Sequence, residues 1–318
     1  MKKKPMRAGT LNMEHFGQKT DSKGNVNTDR FWSILGTLAK LDLDVLFLQE
    51  MTFRHRNGGR LRFAAENTLG MRSFLSPTPA HADGERVNPP GLFIRPGVFE
   101  IVGEWPQRRG WYTPPAAISV RYRNAPSTLQ LASAHLSYQG PEMRTAEARM
   151  ITTWQTQGQA VMAGMDGNSN LFSAVEHNPL PDWPNIPDTT HRAHRTRDGL
   201  TSDTTPHDIL TAAGLHDAAE YAATHLGQAN ATAPTASMYA ATNARQGPPQ
   251  RIDCIKMSRA LLPAIVQVEV IALEGTDHAL VVADVDPDGL ETGLHLHAEH
   301  DYRKPLWTPD APPFRIGA

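Results

Sequence analysis

Gln159-Ala160-Val161-Met162-Ala163-Gly164-Met165-Asp166-Gly167-Asn168-Ser169-Asn170 holds a short apolar run, Val161 to Ala163, cut off by Gly164. An aspartate, a glycine and an asparagine follow directly. The run reads as a buried strand and Gly164 as its break. Strand ends deliver polar side chains to a fixed point, and open α/β architectures set their chemistry there. Asp166 and Asn168 offer hard oxygen ligands, or a base with an orienting partner. The same residues also suit an Asx turn that does no more than cap a strand, so the choice falls to the rest of the chain.

Moving outward, the same design recurs. Residues 6–13 form a first expected strand, with Asn12 near its end. Thr28 is placed to cap a helix in which Phe31, Ile34, Leu35, Leu38 and Leu41 recur at helical spacing. Asp44 to Glu50 is an apolar run ending in Gln49 and Glu50, a pattern typical of a strand covered on both faces. Further strands are expected at 91–95, 98–103, 117–123 and 128–135, the last ending in Ser133-Ala134-His135-Leu136. A helix over 141–157 leads back to the Val161 strand. Beyond it, 170–205 is irregular and carries Pro179, Pro181, Pro184 and Pro187; Thr205-Pro206 starts another helix. Strands at 251–255, 264–273 and 279–285 complete the pattern. They place Asp253, Asp277 and His278 within or beside strands. The Ala/Thr-rich stretch ending near Ala236 has no clear placement. Residues 1–285 are expected to form one domain, and 286–318 an irregular, Pro-rich tail over the surface.

Composition narrows the class. The chain has 318 residues, 40% of them hydrophobic and 20% charged, as in a globular enzyme. A formal net charge of −2 means that any polyanion site must be a local patch. Two such patches stand out: Arg54, His55, Arg56, Arg60 and Arg62, and then His191, Arg192, His194, Arg195 and Arg197. Either could be a solvated loop or a phosphate-contacting rim. Cys254 is the one cysteine, which excludes an internal disulfide. The basic start lacks an apolar segment behind it, and no run approaches the roughly 18 apolar residues that span a bilayer. A cytoplasmic protein without membrane contact is expected.

Taken in order, Leu11-Asn12, Leu48-Gln49-Glu50, Ala134-His135-Leu136, Asp166-Gly167-Asn168, Arg251-Ile252-Asp253 and Thr276-Asp277-His278 resemble the endonuclease/exonuclease/phosphatase superfamily, the fold of pancreatic-type deoxyribonuclease and the abasic-site endonucleases. Gly214-Leu215-His216-Asp217-Ala218 resembles a segment often found before the Arg-x-Asp strand. The chain departs from the family pattern at Met165, where Gly is usual, and at Ser133, where Asn is frequent. The resemblance implies an α/β four-layer sandwich, two mixed sheets packed face to face with helices outside and the site at one edge.

It also implies a phosphoesterase. A hard divalent ion, Mg²⁺ with Mn²⁺ as substitute, would draw charge from the phosphate while water attacks. Glu50 is then a metal ligand, and Asn12 a second ligand or an orienting partner. His135, Asp166 and His278 are the candidates for acid and base, Asp253 and Asp277 could orient imidazoles, and Asn168 could hold a phosphate oxygen or a water. Arg121, Arg56, Arg60, Arg192 and Arg195 are candidate phosphate contacts. Nucleic acid, DNA first, is the expected substrate, because two basic segments suit an extended polyanion. A phosphoinositide or nucleotide phosphatase uses the same chemistry. A non-catalytic binding relative would be expected to have lost residues that this chain retains.

Overall fold

The computed structural model describes residues 3–78, 88–171 and 180–299. In chain order its strands are β1 (Met6–Asn12), β2 (Lys19–Thr20), β3 (Val26–Asn27), β4 (Val45–Gln49), β5 (Arg72–Leu75), β6 (Gly91–Ile94) and β7 (Glu100–Glu104). They continue as β8 (Ala116–Arg121), β9 (Leu129–His135), β10 (Ala160–Asp166), β11 (Leu215–Asp217), β12 (Asp253–Ser258), β13 (Ile265–Ala272) and β14 (Ala279–Val285). The helices are α1 (Asp29–Leu38), α2 (Arg56–Leu69), α3 (Pro141–Thr152), α4 (Thr189–Arg195), α5 (Thr205–Ala212), α6 (Ala218–His225), α7 (Ala240–Gln246) and α8 (Pro287–Glu299).

Two six-stranded sheets carry the architecture, in the orders β13-β14-β1-β4-β6-β5 and β11-β12-β10-β9-β8-β7. Each is mixed, with a parallel pair at its centre: β1 with β4 and β9 with β10. Parallel neighbours need a crossover, and α1 and α3 lie in those connections. Both sheets follow the two-residue side-chain period. Ala8, Val45, Phe47, Ile118, Leu131, Met162, Ile255 and Ala283 turn inward into one core between the sheets. Their neighbours turn outward: Leu46, Leu48 and Val282 onto Phe31, Ile34 and Leu35 of α1, and Val161, Ala163 and Met165 onto Ala148 and Ile151 of α3 and Leu210 of α5. These are the four layers expected from the sequence. Met165 lies on the helix-facing side of its sheet.

The sheets approach closely at Gly164. A Cβ there would stand 2.5 Å from the Phe47 Cβ on the facing strand. Just beyond, the inner face becomes polar. Ser133 donates to the Leu48 carbonyl at 2.9 Å, and Gln49 Nε2 reaches Ser133 Oγ at 3.2 Å and Thr10 Oγ1 at 3.1 Å. Ser133 therefore joins the two sheets where Asn was expected.

Several elements differ from the sequence reading. The Asn27 side chain, rather than Thr28, accepts an N–H at the start of α1, that of Asp29 at 2.8 Å. The helix from Pro141 ends at Thr152 and continues as a 3-10 turn over Thr153–Gly158. The expected irregular tail instead begins with α8. Its Leu290 and Leu294 are fully buried in the inter-sheet core, and Asp286 caps it by accepting Gly289 N at 2.7 Å. Gly and His residues hide the apolar stripe in that stretch. Residues 300–318, and Pro179, lie outside the described residues.

Substituting Gly164 with Ala should destabilise the protein by about 2 kcal/mol or more, because overpacking at a backbone-proximal carbon cannot be relieved by a rotamer change. Chemical denaturation of G164A measures this; an unaltered midpoint would contradict the close approach.

Candidate active site

The inward stripes that are apolar along most of their length become polar at one end of the sandwich. Asn12, Gln49, Ser133, His135, Asp166 and Asp253 all continue the inward parity of their strands. Register then brings them side by side: Asp166 pairs with His135 on β9 and with Asp253 on β12, and Asn12 pairs with Gln49 on β4. Glu50 has the opposite parity, but its left-handed backbone, φ 56°, allows the chain to turn its carboxylate back toward Asn12.

Asn12 links the sheets. Its Nδ2 donates to Asp166 Oδ2 at 2.9 Å and to Glu50 Oε1 at 3.4 Å, while its Oδ1 accepts Glu14 N at 2.9 Å. Glu50 also accepts His15 N at 3.0 Å, and its side chain is 15% exposed. A second contact between the sheets comes from His278, just before β14, whose Nδ1 meets Asp253 Oδ2 on β12 at 2.9 Å. His135 Nδ1 donates to the Asn88 carbonyl at 3.2 Å, since a carbonyl only accepts, and Nε2 faces Asp166 Oδ2 at 3.6 Å.

The charges sort themselves by these contacts. Burial works to lower the His278 pKa, but Asp253, Asp166 and Glu50 together push it up to about 10, so it is an imidazolium at neutral pH. Burial and the neighbouring Asp166 raise Asp253 despite the attraction of His278. For Asp166, burial raises the pKa but His135, His278, Arg195 and the Asn12 amide outweigh it, and the group stays a carboxylate. Glu50, receiving N–H groups and reachable from solvent, could hold a hard divalent cation. Ligand atoms of Asp166, Asp253 and His278 also lie within 4.8 Å of one another. That cluster is a second arrangement that could hold a metal ion.

Other predicted residues stand elsewhere. Asp277 does not face an imidazole: its carboxylate accepts the N–H of Tyr239, and its own N–H donates to Glu14 Oε2 at 2.7 Å. The chain turns at Gly275, φ 102°, yet the adjacent side chains of Asp277 and His278 still point apart. Asn168 spends its amide on the Leu136 carbonyl at 2.7 Å and its N–H on Asp166 Oδ1 at 2.8 Å, which fixes the loop. Arg121 is at the wrong end. β8 runs antiparallel to β9 with Ala116 opposite Ser133 and Val120 opposite Leu129, so Arg121 lies remote from His135, paired with Glu100 at 2.8 Å. Arg192 donates to the Pro184 carbonyl at 3.1 Å. Arg195 does reach the site, bonding the Asn168 carbonyl beside Asp166. Burial and Arg144 lower its pKa to about 10 against the pull of Asp166, leaving it cationic. Arg56 and Arg60 line a surface recess at the start of α2.

Other residues support the site, of which Thr235 and His207 are not singled out by the sequence. Thr235, in the unplaced Ala/Thr stretch, accepts Asp253 N at 2.9 Å through Oγ1, and its carbonyl accepts Ala279 N at 2.7 Å. Thr276 Oγ1 donates to the Asn12 carbonyl at 2.8 Å. Asp217 of the Gly214–Ala218 segment pairs with buried Arg251 and caps α6 through Ala219 N at 3.0 Å. His207 packs on Gly167, where a Cβ would stand 2.7 Å from its ring, and its Nε2 meets the Ser169 carbonyl at 3.1 Å. Threonine hydroxyls carry no spacing signal, whereas the bulk against Gly167 explains why a glycine interrupts Asp166 and Asn168.

This two-sheet sandwich with its polar end is the endonuclease/exonuclease/phosphatase fold. An AP endonuclease from Archaeoglobus fulgidus superposes with a TM-score of 0.57 at 12% identity, covering 88% of this chain and 99% of that one. An endonuclease/exonuclease/phosphatase family protein from Bacteroides thetaiotaomicron gives 0.56 at 14%, covering 88% and 97%. D. rerio TDP2 complexed with single-strand DNA product gives 0.54 at 14%, covering 87% and 97%. No protein-family model and no curated protein matches the sequence. No helix among the described residues is long and apolar enough to cross a membrane.

Burial pushes the His207 pKa well below its ordinary value, with Lys256 adding to the effect. The unfolded chain therefore takes up a proton near pH 6.5 that the folded chain refuses, and stability falls as pH drops below that value. His207→Gln keeps a donor toward Ser169 but binds no proton. Relative to the parent it should gain about 1.4 kcal/mol per pH unit below 6.5, read from denaturation midpoints between pH 8 and 5. A pH-independent difference would contradict this.

Proposed function

We propose that the chain is a divalent-metal-dependent phosphodiester hydrolase acting on nucleic acid, with DNA the first substrate to test. The observation that carries this reading is the Asn12 amide spanning Glu50 and Asp166 beside the Asp253–His278 pair. It sets a cation-accepting carboxylate, an ionised carboxylate and an imidazolium around one point. The comparison proteins support the substrate class: one is an AP endonuclease and another was solved with a single-strand DNA product.

Glu50 would hold the metal, and Asn12 would orient it from alongside, the second of its two anticipated roles. A bound Mg²⁺ or Mn²⁺ supplies Lewis acidity toward the phosphate and its leaving oxygen. Asp166, kept ionised, accepts a proton from the attacking water. His278, kept protonated by Asp253, donates toward the phosphate oxygens as their charge builds. His135, with Nδ1 fixed on the Asn88 carbonyl, presents Nε2 beside Asp166 and holds or moves a proton there. Arg195 adds a fixed positive charge at the same edge.

Nicking of supercoiled plasmid should require added Mg²⁺ or Mn²⁺ and vanish in excess EDTA. Glu50→Gln should raise the metal concentration needed for half-maximal rate by about tenfold or more. Full activity in EDTA would refute the metal reading, and phosphate release from mononucleotides or inositol phosphates without nicking would refute the diesterase reading.

If Asp253 acts through His278, the Asp253→Asn and His278→Ala variants should each lose about 10²-fold or more in single-turnover rate. The double variant should then lose little beyond the worse single one. Additive losses accompanied by lower melting temperatures would assign the pair a structural role instead.

A further inference from the structure

We infer that the recess between α1 and α2 binds an unpaired nucleobase of the substrate strand, next to the scissile phosphate. The inference rests on the phosphodiester-hydrolase reading and adds to it the state of the substrate: single-stranded, or opened at this point.

The recess has a volume of about 210 Å³ and is lined by Gln18, Thr28, Trp32, Phe53, Arg56 and Arg60, among others. That is below the roughly 300–1,000 Å³ that takes a whole small-molecule ligand, and it suits a single planar fragment. Its chemistry is that of a nucleotide subsite. Trp32 offers an indole that is 46% exposed, held edge-on against buried Phe31 with ring centroids 5.0 Å apart. Arg56 lies over the Phe53 ring, 4.1 Å from its centroid, and lines the recess together with Arg60. Gln18 is 3% exposed, accepts Arg56 Nη1 at 3.3 Å and donates to the Thr52 carbonyl at 3.2 Å. The lining holds no carboxylate among the described residues. Aromatic faces beside paired guanidiniums take a base and its phosphates together, and the stacking is tolerant of sequence.

The position joins the recess to the reaction. Phe53 is three residues beyond Glu50, and Gln18 three beyond His15, whose N–H donates to Glu50. Three residues of extended chain reach at most about 11 Å, about three stacked nucleotides at 3.4 Å each. A strand with its phosphate at Glu50 and Asp166 therefore has a nearby base within reach of Trp32. In an intact duplex both faces of that base are covered by its neighbours, so the indole can take it only when the base is unpaired.

The test uses the full-length protein in EDTA, where hydrolysis does not interfere. A thymidine oligonucleotide and an abasic oligonucleotide of equal length are titrated into the parent, Trp32→Ala and Trp32→Phe, with binding read by anisotropy of an end label and by intrinsic fluorescence. The parent should bind the thymidine oligomer more tightly than the abasic one, with quenched emission. Trp32→Ala should weaken thymidine binding at least fivefold, leave abasic binding unchanged and abolish most of the quench, and Trp32→Phe should restore part of the affinity. Equal affinities for the two oligomers in the parent, or equal losses for both in Trp32→Ala, would overturn the proposal. Turnover of bis(p-nitrophenyl) phosphate with Mg²⁺ is measured on the parent alongside. A parent that binds and quenches but turns over no phosphodiester would refute the hydrolase reading and keep the base site, so the two failures are distinguishable.

Discussion

The hydrogen bond from Asn12 to Asp166 crosses between the two sheets, and the site depends on it. A sandwich core of apolar side chains fixes the distance between sheets but not their register along the strands. The polar seam supplies that. Ser133 on the Leu48 carbonyl and Gln49 on Ser133 lock the layers beside it, and Asn12 then sets Asp166 opposite Glu50. Because these groups are buried, a slip would leave several of them unpaired, at about 1–3 kcal/mol each. The same interactions that hold the sheets in register therefore hold the candidate catalytic groups in place.

Charge is distributed by the same geometry. Antiparallel pairing sets Asp166 beside Asp253, an arrangement that disfavours ionising both. His278 and Arg195 relieve it from opposite sides, one from the turn before β14 and the other from the end of α4. The outcome is two carboxylates in different roles, one bound to an imidazolium and the other ionised and held by an amide. Environment, not residue type, separates them.

The sequence disclosed the strand-end residues because period-two patterning places a polar residue after an apolar run with little ambiguity. Asn12, His135, Asp166 and Asp253 meet at the site for that reason, while Glu50 joins them through its left-handed backbone and His278 from the turn before β14. It could not disclose orientation. Arg121 and His135 looked like neighbours along the chain, yet antiparallel pairing separates them by the length of β9. Asp277 and His278 looked like a couple, yet adjacent side chains point apart, one to Tyr239 and the other to Asp253. Basic clusters were the least legible. Arg54 is buried on the carbonyls of Ser76 and Thr78, whereas Arg56 faces a recess, and nothing in their spacing separates a guanidinium that holds a loop from one that meets a ligand. The α8 helix was hidden because its apolar positions, Leu290 and Leu294, are few and separated by polar residues.

The loops that would choose a substrate are not left to solvent. Arg144 of α3 is fully buried and donates to Asp203 at 2.9 Å, to the His194 carbonyl at 2.7 Å and to the Ser137 carbonyl at 3.1 Å. One guanidinium thus joins the segment just past His135 to the segment that carries Arg195. Burying such a pair costs desolvation that its attraction alone barely offsets, so packing energy does not explain its presence. What it supplies is position: Arg195 stands at the end of α4, whose backbone is tied to the segment just past the strand of His135. The phosphate contact proposed for Arg195 requires a charge that is not free to reorganise as the reaction proceeds. The buried pair meets that requirement for a residue that no sheet could place.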